Sequence, residues 1–168
     1  MRRAILLFSV LLSAFWTGSC NRTALATLDA TVTPSGDTSG SQSVRARINF
    51  TECSQPASTG NELRFSFSNS EGDTMDFVLT TSDGKYPVNT YLLDTSGNTF
   101  TATFTVTVSG VPETVTVTNT TGSTNFVNVL NINLDSNGVL HSIGGEYEAT
   151  FASGGGVGFG TFQATFSS

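Results

Sequence analysis

Phe100-Thr-Ala-Thr-Phe-Thr-Val-Thr-Val108 places an apolar residue at every second position and a threonine at each position between. Successive side chains of a strand point to opposite faces, so this run forms a β-strand with one dry face and one wet face. A helix would need its apolar residues at a period near 3.6, and none are spaced that way here. Threonine, valine and phenylalanine also suit a pleated, half-buried surface.

The same period continues in both directions. On the N-terminal side Met75, Phe77 and Leu79 share a face, as do Leu63, Phe65 and Phe67. Further back, Val44, Ala46, Ile48 and Phe50 oppose Arg45, Arg47 and Asn49, and Leu28, Ala30 and Val32 repeat the pattern. On the C-terminal side Val115 and Val117 mark a threonine-rich strand expected at a sheet edge. Asn128 to Leu134 follows, with Leu130, Ile132 and Leu134 expected inward. Val139 to Ile143, Tyr147 to Phe151 and Phe159 to Phe166 complete the set, and Val88 to Leu93 is a less regular strand.

Between the runs lie residues that favour turns: Pro34 to Gln42, Asn69 to Asp73, Ser82 to Gly84, Asp94 to Asn98, Asn119 to Thr124 and Asp135 to Gly138. Asp135-Ser-Asn-Gly138 is a tight hairpin signal, because Asn and Gly tolerate positive φ, so its flanking strands should pair antiparallel. Strands 28–32 and 44–50 should form a second hairpin with a long tip. Turn signals every 8 to 12 residues or so predict an all-β chain, an antiparallel β-sandwich of roughly 8–10 strands, with a β-barrel as the alternative. Phe100-Thr-Ala-Thr-Phe104, Tyr147-Glu-Ala-Thr-Phe151 and Phe162-Gln-Ala-Thr-Phe166 share a ring–Ala–ring face that would interdigitate between two sheets; their spacing is too irregular for a solenoid.

The N-terminus reads differently. Met1-Arg2-Arg3 is basic, Ala4 to Trp16 is mostly apolar, and Thr17-Gly18-Ser19 is small: the order of a secretory signal peptide over residues 1–19. Thirteen helical residues reach only about 20 Å, short of the roughly 30 Å hydrocarbon core of a bilayer. Residues 20–24 are then a short tether and 25–168 a single β-domain.

Thr17-Gly18-Ser19-Cys20 resembles the lipobox of bacterial lipoproteins, although Thr17 stands where Leu, Val or Ile is usual. The resemblance implies cleavage before Cys20, a diacylglycerol on its sulfur, and the membrane as a partner held through that lipid. Asn21, rather than an aspartate, follows the cysteine, which implies the outer membrane or cell surface. The chain as a whole is similar to small bacterial surface lipoproteins of unassigned function that follow a lipidated cysteine with a β-sandwich. Ordinary cleavage remains open at this stage: a secreted or periplasmic soluble protein with Cys20 bonded to Cys53, which an exported compartment permits.

Thirteen acidic residues outnumber seven basic ones, and two of the seven, Arg2 and Arg3, lie in the leader. Arg22, Arg45, Arg47, Arg64 and Lys85 form no cluster in sequence, so nucleic acid, whose binding rests on several phosphate-neutralising cations, is not an expected partner. No catalytic residue is assigned. His141 is the one histidine, without a Gly-x-Ser-x-Gly or comparable nucleophile setting to serve. Glu146 and Glu148 flank Tyr147 and should both face solvent, a poor setting for paired-carboxylate chemistry. Acidic turns at Glu71/Asp73, Asp83, Asp94 and Asp135 each have a structural use, and no spacing converges the six to eight oxygens calcium takes, so no metal or cofactor is assigned. Ser153 to Gly158 is glycine-rich but has no lysine for a phosphate cradle. Trp16, the only tryptophan, belongs to the leader, leaving Tyr86 and Tyr91 around Pro87 as candidate stacking residues for a glycan. The expectation is a non-enzymatic cell-envelope protein with a structural or binding role, with a glycan- or small-ligand-binding module as the alternative.

Overall fold

The alternating runs become strands that pair into two stacked sheets. The computed structural model describes residues 25–33, 43–56, 60–93, 97–120, 125–152 and 156–166. Among them are eleven strands: β1 (Ala26–Val32), β2 (Val44–Phe50), β3 (Glu52–Ser54), β4 (Glu62–Ser68), β5 (Thr74–Thr80), β6 (Asn89–Leu92), β7 (Thr99–Val108), β8 (Val111–Thr118), β9 (Phe126–Leu134), β10 (Leu140–Thr150) and β11 (Val157–Thr165). One sheet has six strands in the order β2-β1-β11-β10-β9-β6, the other five in the order β3-β4-β5-β7-β8. Every ladder is antiparallel. Both sheets keep two free edges, so the fold is a sandwich and not a barrel. The leader, Cys20 and the tether lie outside the described residues.

Several local expectations hold in register. β1 and β2 pair from Ala26–Phe50 to Val32–Val44, and β9 pairs β10 around the Asp135–Gly138 turn. In that turn Asp135 Oδ1 accepts the amides of Asn137 (2.7 Å) and Val139 (2.9 Å), and Gly138 takes φ 80°. Those amide bonds, led by the one from Val139, hold the Asp135 carboxyl below its ordinary range. β8 lies at an edge as its threonines suggested, and Thr103 and Thr116 bond across it at 3.0 Å. β11 sits deep in its sheet, between β1 and β10.

The core is aromatic because the ring–Ala–ring faces meet. Phe65, Phe67, Phe77 and Phe100 come from the five-stranded sheet; Tyr147 and Phe162 come from the six-stranded one, and all are buried. Phe77 is the hub: its ring lies 4.9 Å from Phe65, 5.2 Å from Tyr147, 5.3 Å from Phe100, 5.4 Å from Phe162 and 6.3 Å from Phe67. Ala102, Ala149 and Ala164 fill the gaps between rings, which is why large and small residues alternate along each inner face.

One inward assignment is corrected. Leu130 is 57% exposed, because it is the extra residue of a β-bulge: Gly144 pairs with Asn131, but Gly145 already pairs with Val129. Val127 and Val129 occupy the core positions instead, while Ile132 and Leu134 are half-buried beyond the bulge. Gly145 permits the close approach, since a Cβ there would lie 2.1 Å from the Asn128 carbonyl oxygen. His141 is skipped in the same way between Leu140 and Ser142.

Candidate functional site

The outer face of the six-stranded sheet carries the groups of interest, and strand register sets them in rows. One row runs across all six strands: Arg47, Asp29, Phe159, Glu148, Phe126, Leu92. A neighbouring row runs Asn49, Thr27, Thr161, Glu146, Asn128, Thr90, with Thr161 N–H donating to Thr27 Oγ1 at 3.2 Å. Members of both rows line a concavity of about 590 Å³.

Two of its residues are out of place for a solvated sheet face. Phe159 is 49% exposed and Phe126 half-buried, and neither ring packs against the hydrophobic core. Both stand on the solvent side by strand parity, since Phe162 and Ala164 of β11 and Val127 and Val129 of β9 point inward. Exposed single hydrophobics are ordinary, but here two rings and Leu92 (46% exposed) share one row.

The charges on this face divide into satisfied and unsatisfied. Arg45 donates through Nε to Asp29 Oδ1 (2.7 Å) and through Nη2 to Oδ2 (2.5 Å), and Arg47 Nε adds a bond to Oδ2 at 3.1 Å. The Arg45 bonds, foremost, hold the Asp29 carboxyl below its usual range. Glu146 accepts from the Asn128 amide at 3.0 Å. Glu148, flanked in its row by Phe159 and Phe126, has no hydrogen-bond or ion-pair partner among the described residues.

Beneath the concavity the β1–β11 ladder is interrupted. Tyr147 lies opposite Gly160, and its hydroxyl reaches past that glycine to donate to the Thr27 carbonyl at 2.9 Å. A Cβ on Gly160 would sit 1.9 Å from that carbonyl oxygen and 3.0 Å from the Tyr147 hydroxyl. Burial pushes the Tyr147 phenol well up, so it stays a neutral donor. The floor of the concavity is therefore built from side-chain bonds where neighbouring rungs are backbone bonds.

Of the residues singled out in the sequence, Glu146 and Glu148 lie on this face and Tyr86 and Tyr91 lie elsewhere. Tyr86 and Tyr91 do line one depression, together with Asp83, Lys85 and Pro87. Tyr91 is only 7% exposed and its hydroxyl donates to the Pro87 carbonyl at 2.7 Å; the Tyr86 hydroxyl donates to the Asn61 carbonyl. Burial is the main cause raising both phenols. Glu146 and Glu148 face solvent as expected, on either side of inward Tyr147. Cys53 is a half-buried thiol on β3, its Sγ 3.7 Å from the Thr165 carbonyl oxygen, and burial raises its pKa. His141 shares a shallow hollow with Cys53. Asp73, in an acidic turn, is buried, accepting from Asn69 (2.8 Å) and from the Thr105 amide (3.1 Å). Among the described residues no three His, Cys, Asp or Glu side chains cluster as a metal site would need.

Phe126 and Phe159 were missed as site residues, although their parity carried the signal. In β11, odd positions oppose Phe162 and Ala164, so Phe159 had to face out once those two faced in. Taken together, fold and face define a β-sandwich with an open, concave sheet surface in place of an enclosed cleft. No protein-family model, no curated protein and no solved structure matches the chain.

Proposed function

We propose that this is a non-enzymatic binding module, exported and held at the cell envelope by a lipid on Cys20, with the outer face of the six-stranded sheet as its ligand surface. The observation that carries the binding assignment is the row in which Phe159 and Phe126 stand outside the core on either side of Glu148. Solvent-facing rings add little to the stability of their own sheet, whereas half-buried aromatic groups in a concave surface are typical anchors for a partner. The anchor is supported by the basic, apolar and small segments that precede Cys20 and by their likeness to a lipobox.

Each half of the proposal has its own test. Intact mass spectrometry of the protein recovered from native membranes should find a diacylated Cys20 as the first residue. An unmodified mature chain with a Cys20–Cys53 bond would refute the anchor. For the face, Phe126→Ala and Phe159→Ala should each change unfolding free energy by less than about 1 kcal/mol, the scale of an exposed cross-strand pair. A loss above about 2 kcal/mol in urea unfolding would show that the rings serve the fold, and would remove the binding assignment.

A further inference from the structure

We infer that the slot above Glu148, between Phe126 and Phe159, takes the guanidinium of an arginine side chain presented by a partner polypeptide. The inference rests on the binding-face assignment above and names the chemistry of that face. Phe159, Glu148 and Phe126 occupy matched positions on β11, β10 and β9. Adjacent strands are about 4.8 Å apart, so the two rings are rooted roughly 10 Å apart with a carboxylate rooted midway. A planar cation fits such a slot: its face stacks on a ring while its N–H edge meets the carboxylate.

The same surface already displays this chemistry with its own residues. Asp29, on the far side of Phe159, binds both Arg45 and Arg47. Those two guanidiniums are committed to Asp29, and Glu148 has no cation of its own among the described residues. Glu148 faces solvent between the two rings, where an incoming guanidinium can make a charge-assisted pair with it. The acidic excess of the chain favours approach of a basic partner. A neutral sugar would find less: the row continues into Leu92, and the Asn128 amide of the neighbouring row is spent on Glu146.

The test titrates the isotope-labelled full-length chain with the peptide Gly-Arg-Gly amide, its citrulline counterpart, and cellohexaose, at millimolar concentrations, following backbone amide shifts. The arginine peptide should move the amides of Phe126, Glu148 and Phe159, and the citrulline peptide should bind at least about tenfold more weakly. Glu148→Gln and Phe159→Ala should each weaken arginine binding about tenfold while the remaining amide shifts stay native, which separates loss of binding from loss of fold. Equal binding of the citrulline peptide overturns the cationic ligand. Cellohexaose moving these amides while the arginine peptide does not also overturns it, and leaves the face assignment standing. Shifts from the arginine peptide confined to other surfaces, or none from any probe, would overturn the inference together with the face.

Discussion

Phe77→Ala is expected to lower the unfolding free energy by about 4 kcal/mol, the upper range for emptying a buried aromatic site. The size follows from position. Phe77 sits on the central strand β5 and touches five other rings, including Tyr147 and Phe162 of the opposite sheet. Removing it opens a void that neither sheet can close, because each is held in plane by its own ladders. Phe67 makes an instructive comparison: it is equally buried, but its ring lies near the end of the cluster, against Phe65, Phe77 and Phe162. Phe67→Ala should therefore cost about 1 kcal/mol less than Phe77→Ala. Urea titration of both variants, at an unchanged dependence on denaturant, checks the order. A smaller loss for Phe77→Ala than for Phe67→Ala would mean that the hub is not where the energy is concentrated.

Gly160→Ala is expected to lower the unfolding free energy by about 3 kcal/mol, or to abolish folding, by adding one methyl group. The new Cβ would meet a backbone oxygen at 1.9 Å, and that oxygen belongs to β1, which is paired on both sides. Relief requires β1 to move away from β11, which also breaks the bond from the Tyr147 hydroxyl to Thr27. Overpacking of a side chain can be relaxed through rotamers; overpacking against a central strand cannot. A double-mutant cycle isolates the cause. Tyr147→Phe alone should cost about 1–3 kcal/mol, by leaving the Thr27 carbonyl without its donor. Added to Gly160→Ala it should cost much less, because the bond is already lost. Additive losses would show that glycine acts here for some reason other than the passage of Tyr147. Gly72→Ala is no control for space: a Cβ there would meet nothing within 4 Å, but its φ of 90° strains any substitution.

Alternation made the strands legible, and turn chemistry made the hairpins legible. Val44 to Phe50 and Phe100 to Val108 carried their burial pattern openly in sequence, and Asp135-Ser-Asn-Gly138 announced both its turn and the pairing around it. Strand order was not legible. Nothing local in Asn89–Leu92 says that β6 crosses to the six-stranded sheet while β5 and β7 pair with each other in the opposite one. The bulges were also hidden, because a register slip depends on the partner: Leu130 looks inward from β9 alone and turns outward once Gly144 and Gly145 are laid against it.

The candidate face was half legible. Glu146 and Glu148 could be placed outward from Tyr147 between them, but the rings beside Glu148 belong to strands 22 residues to one side and 11 to the other by subtraction of their numbers. Only the ladders of β9, β10 and β11 bring them into one row. The tyrosines around Pro87 drew attention through composition, yet their hydroxyls go to nearby backbone carbonyls, which composition does not show.

The position of β1 has a mechanical consequence. A pull applied at residue 25 enters the fold along a strand paired with β2 on one side and β11 on the other. Force along a strand shears its rungs together instead of peeling them one at a time, so the domain should yield late and abruptly. The rung at Thr27 is the exception. There the link on the β11 side runs through two side chains, the Tyr147 hydroxyl donating to the Thr27 carbonyl and the Thr27 hydroxyl accepting from the Thr161 amide, instead of through a backbone bond.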